Sequence, residues 1–206
     1  MRGTNDKPIS YVLLADGTSD KALLPIIAWT LRLLWKDGAF ASPIFVPRNH
    51  APVADKIEEI IRDYRPDLLF VHRDAESCSI EDRKKEIPCT DTTVPVVPVR
   101  MTEAWLLIDE GAVRLAAGNP NGKIPLTMPP LYRLEKLADP KKTLHDLLRS
   151  ASGYKKRRLV KFNEAKAVHR LSGLINDYAP LFQLRAYVDF HKHLESVLRH
   201  FSQEYC

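Results

Sequence analysis

The sequence predicts an α/β protein with a mainly parallel, four-stranded sheet flanked by helices and a helical C-terminal extension. Two observations indicate this class. Short apolar segments alternate with helix-like amphipathic segments through the first half of the chain, and strands separated by helices usually pair in parallel. The first apolar segment, "ISYVLLA", is continuous rather than alternating, which is typical of a strand buried on both faces.

The individual elements follow from apolar spacing and from Pro and Gly punctuation. Strands are predicted over residues 9–15, 42–47, 67–72 and 94–99, and helices over 18–36, 51–64 and 79–86. Pro95 and Pro98 cannot donate to a hydrogen-bond ladder, so the fourth strand is expected at an edge of the sheet. Residues 102–118 are predicted as one helix, with Thr102 as its N-cap and Gly118 as its stop.

A proline-rich segment, 119–130, marks a change in composition, since 13 of the 15 prolines lie at or before Pro130. We therefore predict an α/β domain over 1–130 and a basic helical extension over 131–206, packed on or beside it. Helices of the extension are expected near 131–137, 140–150, 163–177 and 186–201.

Charge divides at the same place. Residues 1–130 contain 16 Lys and Arg against 18 Asp and Glu, whereas residues 131–206 contain 15 against 8. Acids that bind metal and bases that bind phosphate are what a nucleic-acid enzyme needs. The alternative is that the basic residues only solvate helix faces.

The cysteines predict a reducing compartment. Cys78, Cys89 and Cys206 are odd in number and form no CxxC pair, which argues against a disulfide framework and a structural zinc site. The longest apolar run is too short to span a bilayer. We therefore expect a cytoplasmic protein without a membrane partner.

Charged residues follow three of the four predicted strands, at the edge where parallel sheets bind ligands. The first strand ends on Asp16 with Asp20 one turn later, the third on His72, Arg73, Asp74 and Glu76, and the fourth on Arg100, Thr102 and Glu103. Carboxylates gathered on one rim repel each other unless a cation binds there. Mg²⁺ prefers carboxylate oxygens and water, so the sequence predicts a metal site.

Two stretches carry a family resemblance. "VLLADGTSDKALLP", followed by "LLFVHRDAE", resembles the TOPRIM domain, a Rossmann-like fold with an acid–Gly pair after its first strand and a DxD after its third. The extra acid at Asp20 resembles the variant in overcoming-lysogenization-defect nucleases. "VPVRMTEAWLLID" and "KKTLHDLL" are similar to a group of bacterial TOPRIM-like proteins, so that the resemblance covers roughly residues 9–150.

The resemblance implies phosphodiester chemistry that depends on Mg²⁺ or Mn²⁺, with Asp16, Asp20, Asp74 and Glu76 at the matched positions. Two positions depart from the family, which usually has Glu where Asp16 stands and Asp where Glu76 stands. These changes either compensate each other in reach or mark a site that binds metal without cutting.

In a two-metal reaction we assign Asp16 and Asp74 as central ligands, and Asp20 and Glu76 as outer ligands or water positioners. Glu103 either joins them or merely opens a helix with Thr102. The helix dipole alone could also explain an acid at Asp20.

Two arginines complete the expected site. Arg73 and Arg100 are suited to holding a scissile phosphate in the transition state, and the alternative for each is a salt bridge to a neighbouring acid. His72 is expected to be a packed imidazole rather than a base.

The segment "YKKRRLVK" is the strongest candidate for contact with a nucleic-acid backbone. Tyr154 could stack on a base there, although packing against a helix is the commoner role of such an aromatic. The expected cations are Lys155, Lys156, Arg157, Arg158 and Lys161, with Lys141 and Lys142 extending the surface.

The leading hypothesis is thus a TOPRIM-like nuclease that cleaves DNA or RNA in bacterial defence or repair. One alternative is a catalytically silent nucleic-acid-binding or scaffold module. The other is a phosphotransferase or phosphohydrolase of small ligands. A partner ATPase, another defence-system protein and a homodimer stay open as assemblies.

Overall fold

The computed structural model describes residues 8–36 and 38–204. Four parallel strands form one sheet in the order β2-β1-β3-β4, which confirms the predicted fold class. The strands are β1 (Tyr11–Ala15), β2 (Ile44–Pro47), β3 (Leu68–His72) and β4 (Thr93–Val96).

The two central strands are apolar because both of their faces are covered. Every residue of β1 and β3 is buried, and β1 pairs with β2 on one side and with β3 on the other. As predicted, β4 lies at an edge. Its outer side is not open, because His193 Nε2 lies 3.2 Å from the carbonyl oxygen of Thr93 and the C-terminal helix packs along the strand.

The segment predicted as a helix over 18–36 is two elements. A 3₁₀ helix covers Thr18–Leu23, and α1 covers Leu24–Leu34. Pro25 lies in the first turn of α1, where its missing N–H is tolerated and where the preceding chain cannot continue as a regular α-helix. The next two helices lie close to their predicted positions, as α2 (Val53–Tyr64) and α3 (Ile80–Lys85).

The prediction of one helix over 102–118 is wrong. A 3₁₀ helix covers Thr102–Leu106, and α4 (Glu110–Ala116) begins anew after a break. Asp109 is the N-cap of α4, since its side chain accepts the N–H of Ala112 at 2.9 Å. Thr102 is therefore not a helix cap, although Gly118 follows the end of α4 with a φ of 78°, as a stop residue should.

The C-terminal part of the chain is helical and shares the core of the sheet. Helix α5 (Pro140–Ser152) packs on the 3₁₀ helix Thr102–Leu106, α7 (Glu164–Leu174) on the 3₁₀ helix Thr18–Leu23, and α8 (Arg185–Glu204) on β4. The ring of Phe190 lies 6.2 Å from that of Phe70 in β3. The helices are α5 (Pro140–Ser152), α6 (Lys156–Val160), α7 (Glu164–Leu174) and α8 (Arg185–Glu204), with 3₁₀ helices at Leu131–Lys136 and Ala179–Gln183.

Cys78 and Cys89 are free and exposed, whereas Cys206 lies outside the described residues. Within the described chain, none of the helices combines the length and the apolar character needed to cross a bilayer.

Candidate functional site

The loops that follow β3 and β4 are held together at the carboxyl edge of the sheet. Backbone pairing continues past both strand ends, through Arg73 N–H to Val96 O, Ala75 N–H to Pro98 O and Glu76 N–H to Arg100 O, at 3.2, 3.0 and 3.2 Å. Glu76 and Arg100 both have left-handed backbone, with φ of 52° and 64°. Non-glycine residues in this conformation are uncommon and concentrate at functional sites.

Two carboxylates from different strand ends, Asp20 and Asp74, face one histidine, and a third, Glu103, lies near Asp74; we call Asp20, Asp74 and Glu103 the carboxylate pocket. Asp74 Oδ1 lies 3.5 Å from His72 Nε2, and Asp20 Oδ2 lies 3.8 Å from the same nitrogen. Glu103 is buried and close enough to Asp74 to raise its pKa. The sequence prediction that acids converge from separate strands is met by these three residues.

His72 is a packed imidazole, as predicted. It is almost fully buried, with Nδ1 3.0 Å from the carbonyl oxygen of Val96 and Nε2 3.2 Å from the hydroxyl of Thr102. A carbonyl oxygen only accepts, so Nδ1 carries a proton. The hydroxyl of Thr102 therefore completes the histidine environment instead of capping a helix.

Asp74 is a carboxyl group of the pocket with a raised pKa. Burial raises this pKa most, His72 lowers it, and the neighbouring carboxylates Asp20, Glu103 and Asp16 raise it, with a net value of about 7. Its Oδ1 atom is buried and has no hydrogen-bond partner among the described residues. A buried oxygen without a partner and a carboxyl group that titrates near neutrality are both features of functional sites.

Asp20 has a structural role as well as a place in the pocket. Its Oδ2 accepts the N–H of Gly17 at 2.9 Å, which stabilises the start of the 3₁₀ helix. The side chain is mostly buried and still faces His72. The helix-terminus explanation of this acid is therefore correct without being complete.

Asp16 lies at the rim and is bound by two arginines. Its Oδ1 accepts from Arg48 Nε at 2.7 Å, and its Oδ2 accepts from Arg73 Nε at 3.1 Å. The salt-bridge alternative considered for Arg73 is thus present. Sequence reasoning missed Arg48, although it directly follows β2 and the strand-end rule applied to the other strands would have found it.

Among the described residues, neither Glu76 nor Arg100 forms a side-chain hydrogen bond or ion pair with Asp20, Asp74 or Glu103. The side chain of Glu76 is 67% exposed, and Arg83 lies 3.8 Å from its carboxylate. It is not among the carboxylates that raise the pKa of Asp74. Arg100 is exposed and has no ion pair within the part of the chain that the structure describes.

The pocket offers the type of ligand that a hard divalent cation prefers, but its side chains are not arranged to hold one. Asp20, Asp74 and Glu103 offer oxygen ligands, and Asp74 Oδ1 lacks a partner. Across residues 8–36 and 38–204, however, no three His, Cys, Asp or Glu side chains are grouped closely enough to hold a metal ion. Binding would therefore draw these carboxylates closer together.

The predicted nucleic-acid surface is a short exposed helix between α5 and α7. Every cation from Lys155 to Lys161 is exposed and lacks an ion pair among the described residues, and Val160 is 81% exposed. Tyr154 is exposed in part and packs edge-to-face on Phe162, so its ring has a packing contact and base stacking stays a prediction. Lys141 is exposed without an ion pair in the described chain, whereas Lys142 binds Asp146 at 2.6 Å.

Comparisons with models of known protein families, with curated proteins and with solved structures return no match to this chain.

Proposed function

We propose that this protein is a TOPRIM-like, Mg²⁺-dependent nuclease that hydrolyses phosphodiester bonds in DNA or RNA. The observation that supports this most directly is Asp74, a carboxyl group with a pKa of about 7 and a buried, unpartnered oxygen. It lies beside Asp20 and Glu103 at the edge where parallel sheets bind ligands. A divalent cation would relieve the mutual repulsion of these carboxylates.

The chain's own residues supply orientation and charge around such an ion. Asp20, Asp74 and Glu103 would hold it, and it would lower the pKa of bound water and stabilise a leaving oxygen. The Gly17 N–H fixes Asp20, and the Val96 carbonyl fixes His72 against Asp74. These second contacts keep the carboxylates oriented before substrate binds.

Substrate would be gripped by the basic segment that contains α6. The two helices next to α6 in the chain are α5 and α7, which pack on the 3₁₀ helices carrying Glu103 and Asp20. Exposed cations without ion pairs are free to contact phosphates. Arg100, exposed on the loop bonded to Glu76, adds a cation at the rim. The TOPRIM resemblance favours a cytoplasmic role in bacterial defence or repair, with a partner ATPase as one expected assembly.

The test is cleavage of labelled single- and double-stranded DNA and RNA with Mg²⁺ or Mn²⁺. We expect the wild type to cut at least one polymer, and Asp74→Asn to reduce the rate about 100-fold or more, because it removes charge but little volume. Asp91→Asn is the matched control, since Asp91 is exposed in the turn preceding β4, at the opposite end of that strand. Cleavage that survives in Asp74→Asn would remove the carboxylate pocket from the reaction.

A catalytically silent nucleic-acid-binding module is the second candidate. It is favoured by Asp16, whose two oxygens already accept hydrogen bonds from Arg48 and Arg73. For this candidate we expect binding without cleavage, unchanged by Asp74→Asn. Release of phosphate from mononucleotides with the polymers intact would instead indicate an enzyme of small ligands.

A further inference from the structure

We infer that Asp16, Arg48 and Arg73 form a phosphate-binding site beside the carboxylate pocket, in which Asp16 positions the two arginines. This inference refines the proposed function, because it assigns Asp16 to the phosphate rather than to a metal ion. We call these three residues the arginine clamp.

Each arginine of the clamp is fixed at two points. Arg48 donates from Nε to Asp16 and from Nη1 to the carbonyl of Ala51, at 2.7 and 2.6 Å. Arg73 donates from Nε to Asp16 and from Nη1 to Glu86, at 3.1 and 2.8 Å. The two guanidinium groups are therefore held in place on either side of one carboxylate.

The remaining donors of both arginines are available. Nη2 of Arg48 and of Arg73 makes no hydrogen bond within the described residues, yet neither atom is buried. The side chains themselves are 18% and 15% exposed, so only their ends reach solvent. Two fixed, partly desolvated guanidinium groups with unused N–H donors suit the non-bridging oxygens of a phosphate.

In the clamp and the ion pairs next to it, arginines exceed carboxylates, which favours an anion there. Glu86 is shared between Arg73 and Arg83, and Glu76 reaches only as far as Arg83. Arg100, on the adjoining loop, has no ion pair among the described residues. Arg48, Arg73, Arg83 and Arg100 thus outnumber Asp16, Glu76 and Glu86 by one, before the carboxylates of the adjoining pocket are counted. In addition, Asp16 is close enough to Asp74 to raise its pKa, so the clamp adjoins the pocket.

This arrangement differs from a metal site in what Asp16 can do. Each of its oxygens already accepts an arginine N–H, and the two adjacent guanidinium charges disfavour a cation at the same carboxylate. The same charges favour a bound phosphate. Asp16 is then a positioning residue, and the pocket of Asp20, Asp74 and Glu103 is the separate place for a cation.

The experiment measures binding of inorganic phosphate, and of the dinucleotide TpT as a phosphodiester, to the full chain in EDTA by calorimetry. We expect Arg48→Gln to weaken binding roughly tenfold, the usual effect of losing a charge-assisted hydrogen bond. Arg62→Gln, at an exposed arginine that pairs with Asp63, should leave binding unchanged. Binding of TpT but not of inorganic phosphate would assign the site to nucleic acid, and the reverse to a small phosphorylated ligand.

Asp16→Asn distinguishes a role of Asp16 in positioning the arginines from simple repulsion between Asp16 and the bound anion. Removing a negative charge next to an anion should strengthen binding if Asp16 only repels the ligand. If Asp16 positions the arginines, Asp16→Asn should weaken phosphate binding about tenfold. Stronger or unchanged binding in Asp16→Asn would overturn the inference.

Arg48→Lys is a second test of the clamp in case Arg48→Gln fails to fold. It keeps the charge, but a single ammonium nitrogen cannot reproduce the spacing of Nε, Nη1 and Nη2 in the planar guanidinium group, so weaker phosphate binding is expected with an unchanged circular dichroism spectrum. Phosphate binding in EDTA reports on the clamp even if no polymer is cleaved. Loss of Mg²⁺ binding in Asp16→Asn would contradict the assignment of this residue to the clamp.

Discussion

His72 Nε2 lies 3.5 Å from Asp74 Oδ1 at the carboxyl edge of the sheet. Asp74 Oδ1 is buried and has no hydrogen-bond partner among the described residues. The proton on His72 Nδ1 is committed to the carbonyl of Val96. The Thr102 hydroxyl, 3.2 Å away, can donate to Nε2, but an ionised Asp74 Oδ1 then still faces an acceptor. One further proton on Asp74, or a cation in its place, gives that oxygen a partner.

Stability without metal should fall as pH rises from about 4 to about 8. The folded pKa of Asp74 is about 7, above its ordinary value of 3.8, so the folded state holds this proton more tightly than the unfolded state. The stability that the protonated Asp74 carboxyl group contributes is complete at low pH and is lost as the pH rises through about 7. The loss should be at most about 4 kcal/mol, from about 1.4 kcal/mol per pKa unit.

The measurement is urea denaturation in EDTA across this range. Asp74→Asn should flatten the profile and should be more stable than wild type at pH 8, whereas Asp91→Asn should follow the wild type. A wild-type profile that rises toward pH 8, with Asp74→Asn parallel to it, would show that Asp74 is ionised throughout.

Mg²⁺ should stabilise the protein more at pH 8 than at pH 5.5, because a cation competes with the proton of Asp74. At ten times the dissociation constant the gain is about 1.4 kcal/mol. Thermal unfolding with and without Mg²⁺ measures it, and Asp74→Asn should abolish the difference. An equal gain at both pH values, retained in this variant, would indicate binding elsewhere on the surface.

The segment containing α6 should dominate the salt dependence of nucleic-acid binding. Replacing Lys155, Lys156, Arg157 and Arg158 with Gln should reduce the log–log salt slope for duplex DNA by about 3 to 4, if each contacts a phosphate. The control is Arg62→Gln with Arg199→Gln, two exposed arginines that are already ion-paired. A slope unchanged by the fourfold replacement would remove this segment from the interface.

A buried hydrogen bond joins the C-terminal helix to the sheet domain. Its removal should show how strongly the two parts of the chain are coupled in stability. Thr30 Oγ1 lies 2.8 Å from both the Ile26 carbonyl and the Tyr187 hydroxyl, so Thr30 donates to the former and accepts from the latter. Thr30→Val would leave the buried Tyr187 hydroxyl without an acceptor, at a cost of about 1 to 3 kcal/mol.

Tyr187→Phe should cost less than Thr30→Val, and the double variant should cost less than the sum of the two. Urea denaturation should remain one cooperative transition, since α8 and the sheet share a core. Additive costs, or separate transitions for the two parts of the chain, would contradict this coupling.

Much of the site follows from the sequence because strand ends in a parallel sheet share an edge. That rule was enough to bring Asp20, Asp74 and Glu103 together. The rule does not reveal that Glu76 adopts left-handed backbone and that its side chain is exposed, so its role as an outer ligand stays a prediction.

Two features depend on detail that apolar periodicity does not carry. The segment "TEAWLLIDEGAV" has helical spacing throughout, yet the cap formed by Asp109 starts a new helix without any Gly or Pro at the break. Arg48 lies at a strand end that the sequence does reveal, but its contact with Asp16 also depends on the turn after β2, where Asn49 and His50 are both left-handed. Such turns are set by local backbone energetics and tertiary contacts rather than by hydrophobic pattern.

The covering of β4 by α8 also limits how this sheet can grow. A strand from another molecule needs unpaired N–H and C=O groups along an edge, and β4 offers a proline and a carbonyl already taken by His193. At the opposite margin, β2 pairs with a strand on one side only within the described chain, and Ile44 is 40% exposed. A strand from a second copy would therefore pair with β2. It would not cover the carboxylate pocket at the strand ends.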